Sequence, residues 1–205
     1  MRSVWQNFQD GASHCSECPG QKAPYPLGGI GNRHADVMLV GQEPAYNVDD
    51  DTVTTEMNWL DAAATMIQNR RDSMNPLWKH MMNVAVAAEC SPTDLYFTNI
   101  SKCSTDNTSF SDCLEHCRGY FPREVAQVDP DLMLLYGGKV IGTVFDMFDI
   151  EWSGSVGDVH AEIHETSSLK LVPFYHWGYI YRQGDLTSYR EEVTNVVQNA
   201  VSAEN

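Results

Sequence analysis

The stretch ADVMLVGQEPA, residues 35–45, decides the fold. Residues 35–40 form a short apolar run that stops at Gly41, and such a run predicts a buried strand handing over to a loop at its carboxyl end. Three later stretches repeat the arrangement: LYFTNI (95–100), DLMLLYGG (131–138), closed by paired glycines, and LKLVPFYH (169–176). Helical patterning separates them. It covers 56–70, then 76–88, opened by Asn75-Pro76 as cap and first turn. Residues 109–127 follow, with Ser109 or Ser111 as candidate cap, ending before Val128-Asp129-Pro130. A helix after Gly138 runs to about Phe148, residues 151–168 read as loop or irregular strand, and 185–201 form a closing amphipathic helix. Strands alternating with helices predict a three-layer α/β/α fold with a four-stranded, mainly parallel sheet covered on both faces. In such sheets function gathers at the carboxyl ends of the strands. Those ends carry Gly41-Gln42-Glu43, Asn99, Gly137-Gly138 and His176.

The chain has 205 residues, enough for one α/β domain with a full core. Its charge is unusual: 13 Lys and Arg stand against 28 Asp and Glu, a formal net charge of -15. Phosphate binding ordinarily uses a basic surface, so charge alone argues against a nucleic-acid role. Very high salt removes that objection, because a Debye length of ~3 Å leaves little repulsion at useful distances. The acids are spread along the chain, which favours a whole-surface adaptation to salt, a halophilic character, over an acidic tail. The run Asp49-Asp50-Asp51 reads as a solvated acidic loop. No secretory signal and no apolar run of ~18 residues occurs, so a cytoplasmic protein that does not enter a membrane is expected.

In that compartment six cysteines read as metal ligands or core residues, not as disulfides. Cys15 and Cys18 form a Cys-x2-Cys turn that can present two thiolates to one metal. Cys103 follows the second strand and Cys117 lies in the next helix. Zinc ribbons usually pair two close Cys-x2-Cys turns, which this chain lacks. A cubane iron–sulfur cluster accepts looser spacing. Cys90 reads as core, and Cys113 rivals Cys117 as a ligand.

HCSECPG (14–20) and GIGNRHADVMLVGQEPAYNVDD (29–50) resemble the opening of the family 4 iron–sulfur uracil-DNA glycosylases. Those share a Cys-x2-Cys, a GxGN turn and an "ADLMFVGEAPG" strand and loop. YFTNISKC (96–103) is similar to the family's "YITNxVKC", and CRGYFPREVAQVDPDLMLLYGGKV (117–140) to its "CRPFLxRQIxxxxPxVIVxLGxxA". FYHWGYIYR (174–182) has the length and ends of "YHPSxLLR". The likeness runs in order over residues 14–182.

The resemblance implies a monofunctional DNA repair hydrolase acting in base excision repair. Such an enzyme extrudes uracil from the base stack and cleaves the N-glycosidic bond, leaving an abasic site. It implies a structural 4Fe-4S cluster held by Cys15, Cys18, Cys103 and Cys117, in a single domain (1–205) whose segment 1–30 is tied to that cluster. His176 matches the histidine that donates to the departing uracil, where developing charge needs a donor. Asn99 matches the asparagine whose amide both donates to and accepts from the uracil edge. The first loop departs from the family: GEAPG has become Gly41-Gln42-Glu43-Pro44-Ala45, closer to the GQDPY loop of family 1, whose third-position carboxylate orients the attacking water. Glu43 is the candidate for that work, with Gln42 beside it. Tyr46 is a candidate to exclude thymine's methyl group, Trp177 to wedge into the gap left by the base or to pack, and Arg182 to meet a phosphate or to form a surface salt bridge. The remaining histidines (His14, His34, His80, His116, His160 and His164) read as solvated or loop residues. The expected partner is uracil-containing DNA, and a monomer is expected. Two alternatives stay open: a catalytically impaired iron–sulfur protein that recognises uracil-containing or single-stranded DNA, and an enzyme for another base such as hypoxanthine or xanthine.

Overall fold

The computed structural model describes residues 29–43, 76–102, 110–117, 119–176, 178–180 and 185–202. In chain order the elements are β1 (Ile30–Gly31), β2 (Val37–Gly41), α1 (Pro76–Ala87), β3 (Tyr96–Asn99), α2 (Phe110–Cys117) and α3 (Tyr120–Val128). They continue with β4 (Leu132–Tyr136), α4 (Gly138–Met147), a 3-10 turn at Val156–Asp158, β5 (His164–Glu165), β6 (Lys170–Phe174) and α5 (Leu186–Ser202). The helix expected over 56–70 and the cysteine turn at 15–18 lie outside the described residues.

One sheet runs β1-β3-β2-β4-β6-β5. Its four central strands, β3, β2, β4 and β6, are all parallel. These are the four strands expected from the sequence. The two additional strands are antiparallel edges of two residues each, too short to carry a periodic signal. Register aligns Gly41 with Asn99, Val40 with Leu135, and Tyr136 with Phe174, so the carboxyl ends of all four parallel strands meet one rim.

Alternate side chains of each parallel strand enter different cores. Leu39, Phe97, Leu134 and Val172 face α1 and α5, packed with Val84, Val193 and Val197. Met38, Val40, Met133 and Leu135 face α3 and α4, packed with Phe121, Val140 and Val144. Strands covered on both faces are mostly apolar, which is why β2 and β4 appear as unbroken apolar runs.

The single helix expected over 109–127 is two helices, α2 and α3. Pro122 accounts for the break. Inside a continuous helix it would lose a hydrogen bond and clash with the carbonyl four residues back, whereas in the first turn of α3 its missing N–H costs nothing. Asp129 closes α3 in the left-handed region (φ 53°), its N–H donating to Val125 O, and Pro130 then prevents continuation.

Candidate functional site

The loop after β2 is stitched to the loop after β3. Ile100 N–H donates to Gly41 O at 3.0 Å, and Ser101 N–H to Gln42 O at 2.9 Å. These bonds carry the parallel pairing two residues past the strand ends and hold Gln42 and Glu43 beside Asn99. Gln42 and Glu43 are both half-buried, and Gln42 Nε2 leans on Glu43 Oε1 at 3.5 Å, the outer limit of a hydrogen bond.

Asn99 is buried, and a charged network lies directly under it. Lys102 Nζ donates to Asn99 O at 2.5 Å, to Thr98 Oγ1 at 2.8 Å and to Glu124 Oε2 at 2.6 Å. Thr98 Oγ1 donates to the same carboxylate, whose other oxygen accepts Gly29 N–H at 3.0 Å. Lys102 and Glu124 are almost fully buried, at 1% and 4% exposure, so neither charge is tolerable without the other. Burial pushes the Lys102 pKa down, while Glu124 and then Cys117 oppose that shift. Three of the four Lys102–Glu124–Thr98–Asn99 members belong to one strand and its extension. The network therefore ties α3 and the segment before β1 to the end of β3.

Across the rim, β4 is followed by Gly137, whose backbone (φ 96°) lies in a region that favours glycine. Its N–H donates to Phe174 O at 3.0 Å, and a Cβ there would lie 3.5 Å from His176 Cβ. The two central strands thus reach the rim in glycines, Gly41 and Gly137. Asn99 and His176 stand on the flanking strands, three strand spacings or roughly 14 Å apart along the rim. Neither glycine puts a side chain between them.

His176 is half-buried, and Gly178 N–H donates to its Nδ1 at 3.1 Å. A nitrogen that accepts cannot carry the proton, so the neutral ring holds its proton on Nε2 and presents a donor there. Gly178 allows this approach, because a Cβ on it would fall 3.1 Å from Nδ1 and 3.3 Å from Cε1.

Tyr46, Trp177 and Arg182 lie outside the described residues, as do Cys15, Cys18 and Cys103. Cys117 is described. It is buried, and Lys102 N–H points at its Sγ at 3.4 Å. An N–H directed at a buried sulfur suits a thiolate ligand, and the contact brings the end of α2 against the residue preceding Cys103. Cys113 is also buried, one turn earlier on α2. Among the described residues no group of three or more His, Cys, Asp or Glu is placed to hold a metal ion. Cys90, expected in the core, is half-buried and packs against it, with its thiol pKa raised by burial and then by Asp94 and Asp36.

Besides His164, which lies in β5 with its ring on Phe145 and its Nε2 out of solvent, two histidines differ from the solvated reading. His80 is buried on α1, where its Nε2 meets Tyr136 Oη, and burial followed by Arg190 pushes its pKa down to about 3. His160 is bonded at both ring nitrogens, to Tyr175 N–H and to Glu192. Neither partnership has a local spacing, and nor has the Lys102–Glu124 pair, whose members lie 22 residues apart.

An open, mainly parallel sheet between helices, with Asn99, Glu43 and His176 at its carboxyl rim, defines an α/β protein. The chain belongs to the uracil DNA glycosylase superfamily, whose family model matches residues 29–198. More particularly, it is 23% identical over 154 residues to a type-4 uracil-DNA glycosylase of Archaeoglobus fulgidus, covering 72% of this chain and 68% of the relative. No helix among the described residues is long and apolar enough to cross a membrane.

Proposed function

We propose that this chain hydrolyses the N-glycosidic bond of uracil in DNA, releasing free uracil and leaving an abasic site. The observation that carries the proposal is the bond from Gly178 N–H to His176 Nδ1, which commits Nε2–H as a donor at the rim. Cleavage pushes negative charge onto the uracil oxygens, and a preplaced neutral donor stabilises it without first being deprotonated. Asn99 reads the base: its amide oxygen accepts from the ring N–H and its amide nitrogen donates to a carbonyl, a pattern cytosine does not match. Glu43 orients the attacking water and stabilises the cationic sugar, while Gln42 holds the carboxylate in place. Tyr46 excludes the thymine methyl, Trp177 fills the space vacated by the base, and Arg182 meets a phosphate.

The same reading assigns a 4Fe-4S cluster to Cys15, Cys18, Cys103 and Cys117, for which the buried Cys117 sulfur with its N–H donor is the support. When bound, such a cluster would cross-link segment 1–30 to the Cys103–Cys117 region within a single domain; hydrolysis needs no electron from it. The protein works as a cytoplasmic monomer in high salt, where its negative surface does not bar DNA.

Single-turnover release of uracil from a uracil-containing oligonucleotide tests the proposal. Release by the wild type, lost in His176→Ala, is the expected result. Tight binding of the oligonucleotide with no release from the wild type would establish the DNA-recognition alternative instead. Faster release of hypoxanthine or xanthine would reassign the base.

A further inference from the structure

Beyond the rim, one arrangement grips the backbone that delivers His176. His160 sits just after the 3-10 turn, and its segment is held against β6 by Ala161 N–H donating to Pro173 O at 2.8 Å. Tyr175 N–H donates to His160 Nδ1 at 3.3 Å, and His160 Nε2 lies 2.9 Å from Glu192 Oε2. Because Nδ1 accepts, the proton is on Nε2 and is donated to the carboxylate. Tyr189, three residues before Glu192 on α5, donates its hydroxyl to Tyr175 O at 3.2 Å. The two clasping rings lie parallel, 3° apart in plane, and the His160 ring also packs on those of Phe174 and Tyr175. Both polar groups of the Tyr175 backbone are therefore fixed, and the carbonyl that Tyr189 holds belongs to the peptide bond leading into His176.

We infer that His160 is a positioning residue. With Tyr189 and Glu192 it clasps the Tyr175 backbone and so sets where His176 presents its Nε2–H. This rests on the role proposed above for His176. A displacement of about 1 Å at a reacting group can cost on the order of 100-fold in rate, so a second tier of support is worth keeping even though it touches neither base nor sugar. The order of bonds is specific: Glu192 fixes the His160 tautomer, the tautomer makes Nδ1 an acceptor, and the acceptor holds Tyr175.

The test uses the full chain with four substitutions. His160→Phe keeps a ring and removes both bonds, His160→Asn offers its amide oxygen near the Nδ1 position, His160→Gln does not, and Tyr189→Phe releases the carbonyl. Single-turnover uracil release should fall on the order of 10-fold to 100-fold in His160→Phe and His160→Gln. It should fall less in Tyr189→Phe and be largely restored in His160→Asn, with DNA affinity unchanged throughout. Ring-nitrogen NMR supplies a readout independent of turnover: His176 should show a single Nε2–H tautomer in the wild type and tautomer averaging in His160→Phe. Wild-type rates with an unchanged His176 signal would overturn the inference, as would a parallel loss of DNA affinity. Should His160→Phe fail to fold, a full rate and unaltered His176 signal in both His160→Gln and Tyr189→Phe would overturn it equally. A wild type that releases no uracil, yet whose His176 signal averages on losing His160, would remove the proposed function and leave the clasp standing.

Discussion

His176 and Asn99 reach the rim on different strands, so their contributions separate by substitution. His176→Ala should lower single-turnover release by about 10²–10³, or ~2.7–4 kcal/mol of transition-state stabilisation. DNA affinity should hardly change, because the donor works once charge has developed. Asn99→Asp should weaken uracil release selectively, since a carboxylate cannot donate to the carbonyl, and any gain in cytosine release would identify Asn99 as the reader. Between neighbours in the first loop, Glu43→Gln should be the damaging change and Gln42→Ala the mild one. The reverse order, measured on the same oligonucleotide, would give the work on water to Gln42. That these four residues lie at the rim was legible in the sequence, because each falls at or within two residues of the end of a strand that a parallel sheet must terminate at one edge. His160 was not, because its meaning lies in Tyr175 and Glu192, 15 and 32 residues away, and no period links such partners.

At the scale of elements, the Lys102–Glu124 pair joins β3 to α3 through the interior. Replacing Glu124 by Leu strands a buried ammonium and should cost about 3–5 kcal/mol, seen as a lower urea midpoint. Lys102→Met combined with Glu124→Leu should recover part of that loss, because no charge is left buried while Thr98 Oγ1, Asn99 O and Gly29 N–H lose their partners. If the double variant is as unstable as the single one, the pair is not the source of the loss. The strands and α4 followed from apolar patterning, and the break between α2 and α3 was written in Pro122, whose position forbids one long helix. The edge strands were hidden for a different reason. Gly31 lies in β1 with φ 131°, and a Cβ there would fall 2.0 Å from Leu95 O, so the strand depends on a close backbone approach to the start of β3.

For the molecule as a whole, net charge and buried histidine set opposite dependences. With a formal charge of -15, folding and uracil release should both strengthen as potassium chloride approaches molar levels, where repulsion is screened. Basic DNA-binding proteins weaken along the same series as counterion release loses its drive. Unfolding at high salt would contradict the proposed adaptation. His80 acts through pH. Its pKa lies at about 3 in the fold against 6.5 unfolded, so the unfolded chain binds the proton first. The stability it contributes is complete above 6.5 and is lost as pH falls toward 3. Against His80→Phe, compared at one high salt concentration, the wild-type advantage should shrink by about 1.4 kcal/mol per pH unit over that window. A constant difference would show that His80 titrates normally. Finally, the strand order has a consequence for the ribosome. The middle strand β2 is made early, β3 and β4 later join its two sides, and β6, with His176 behind it, comes after all of them. The clasp on Tyr175 is later still, since Tyr189 and Glu192 belong to α5. A nascent chain can therefore hold Gln42, Glu43 and Asn99 in place before it holds His176, and the roles proposed for them come together only once Glu192 has emerged.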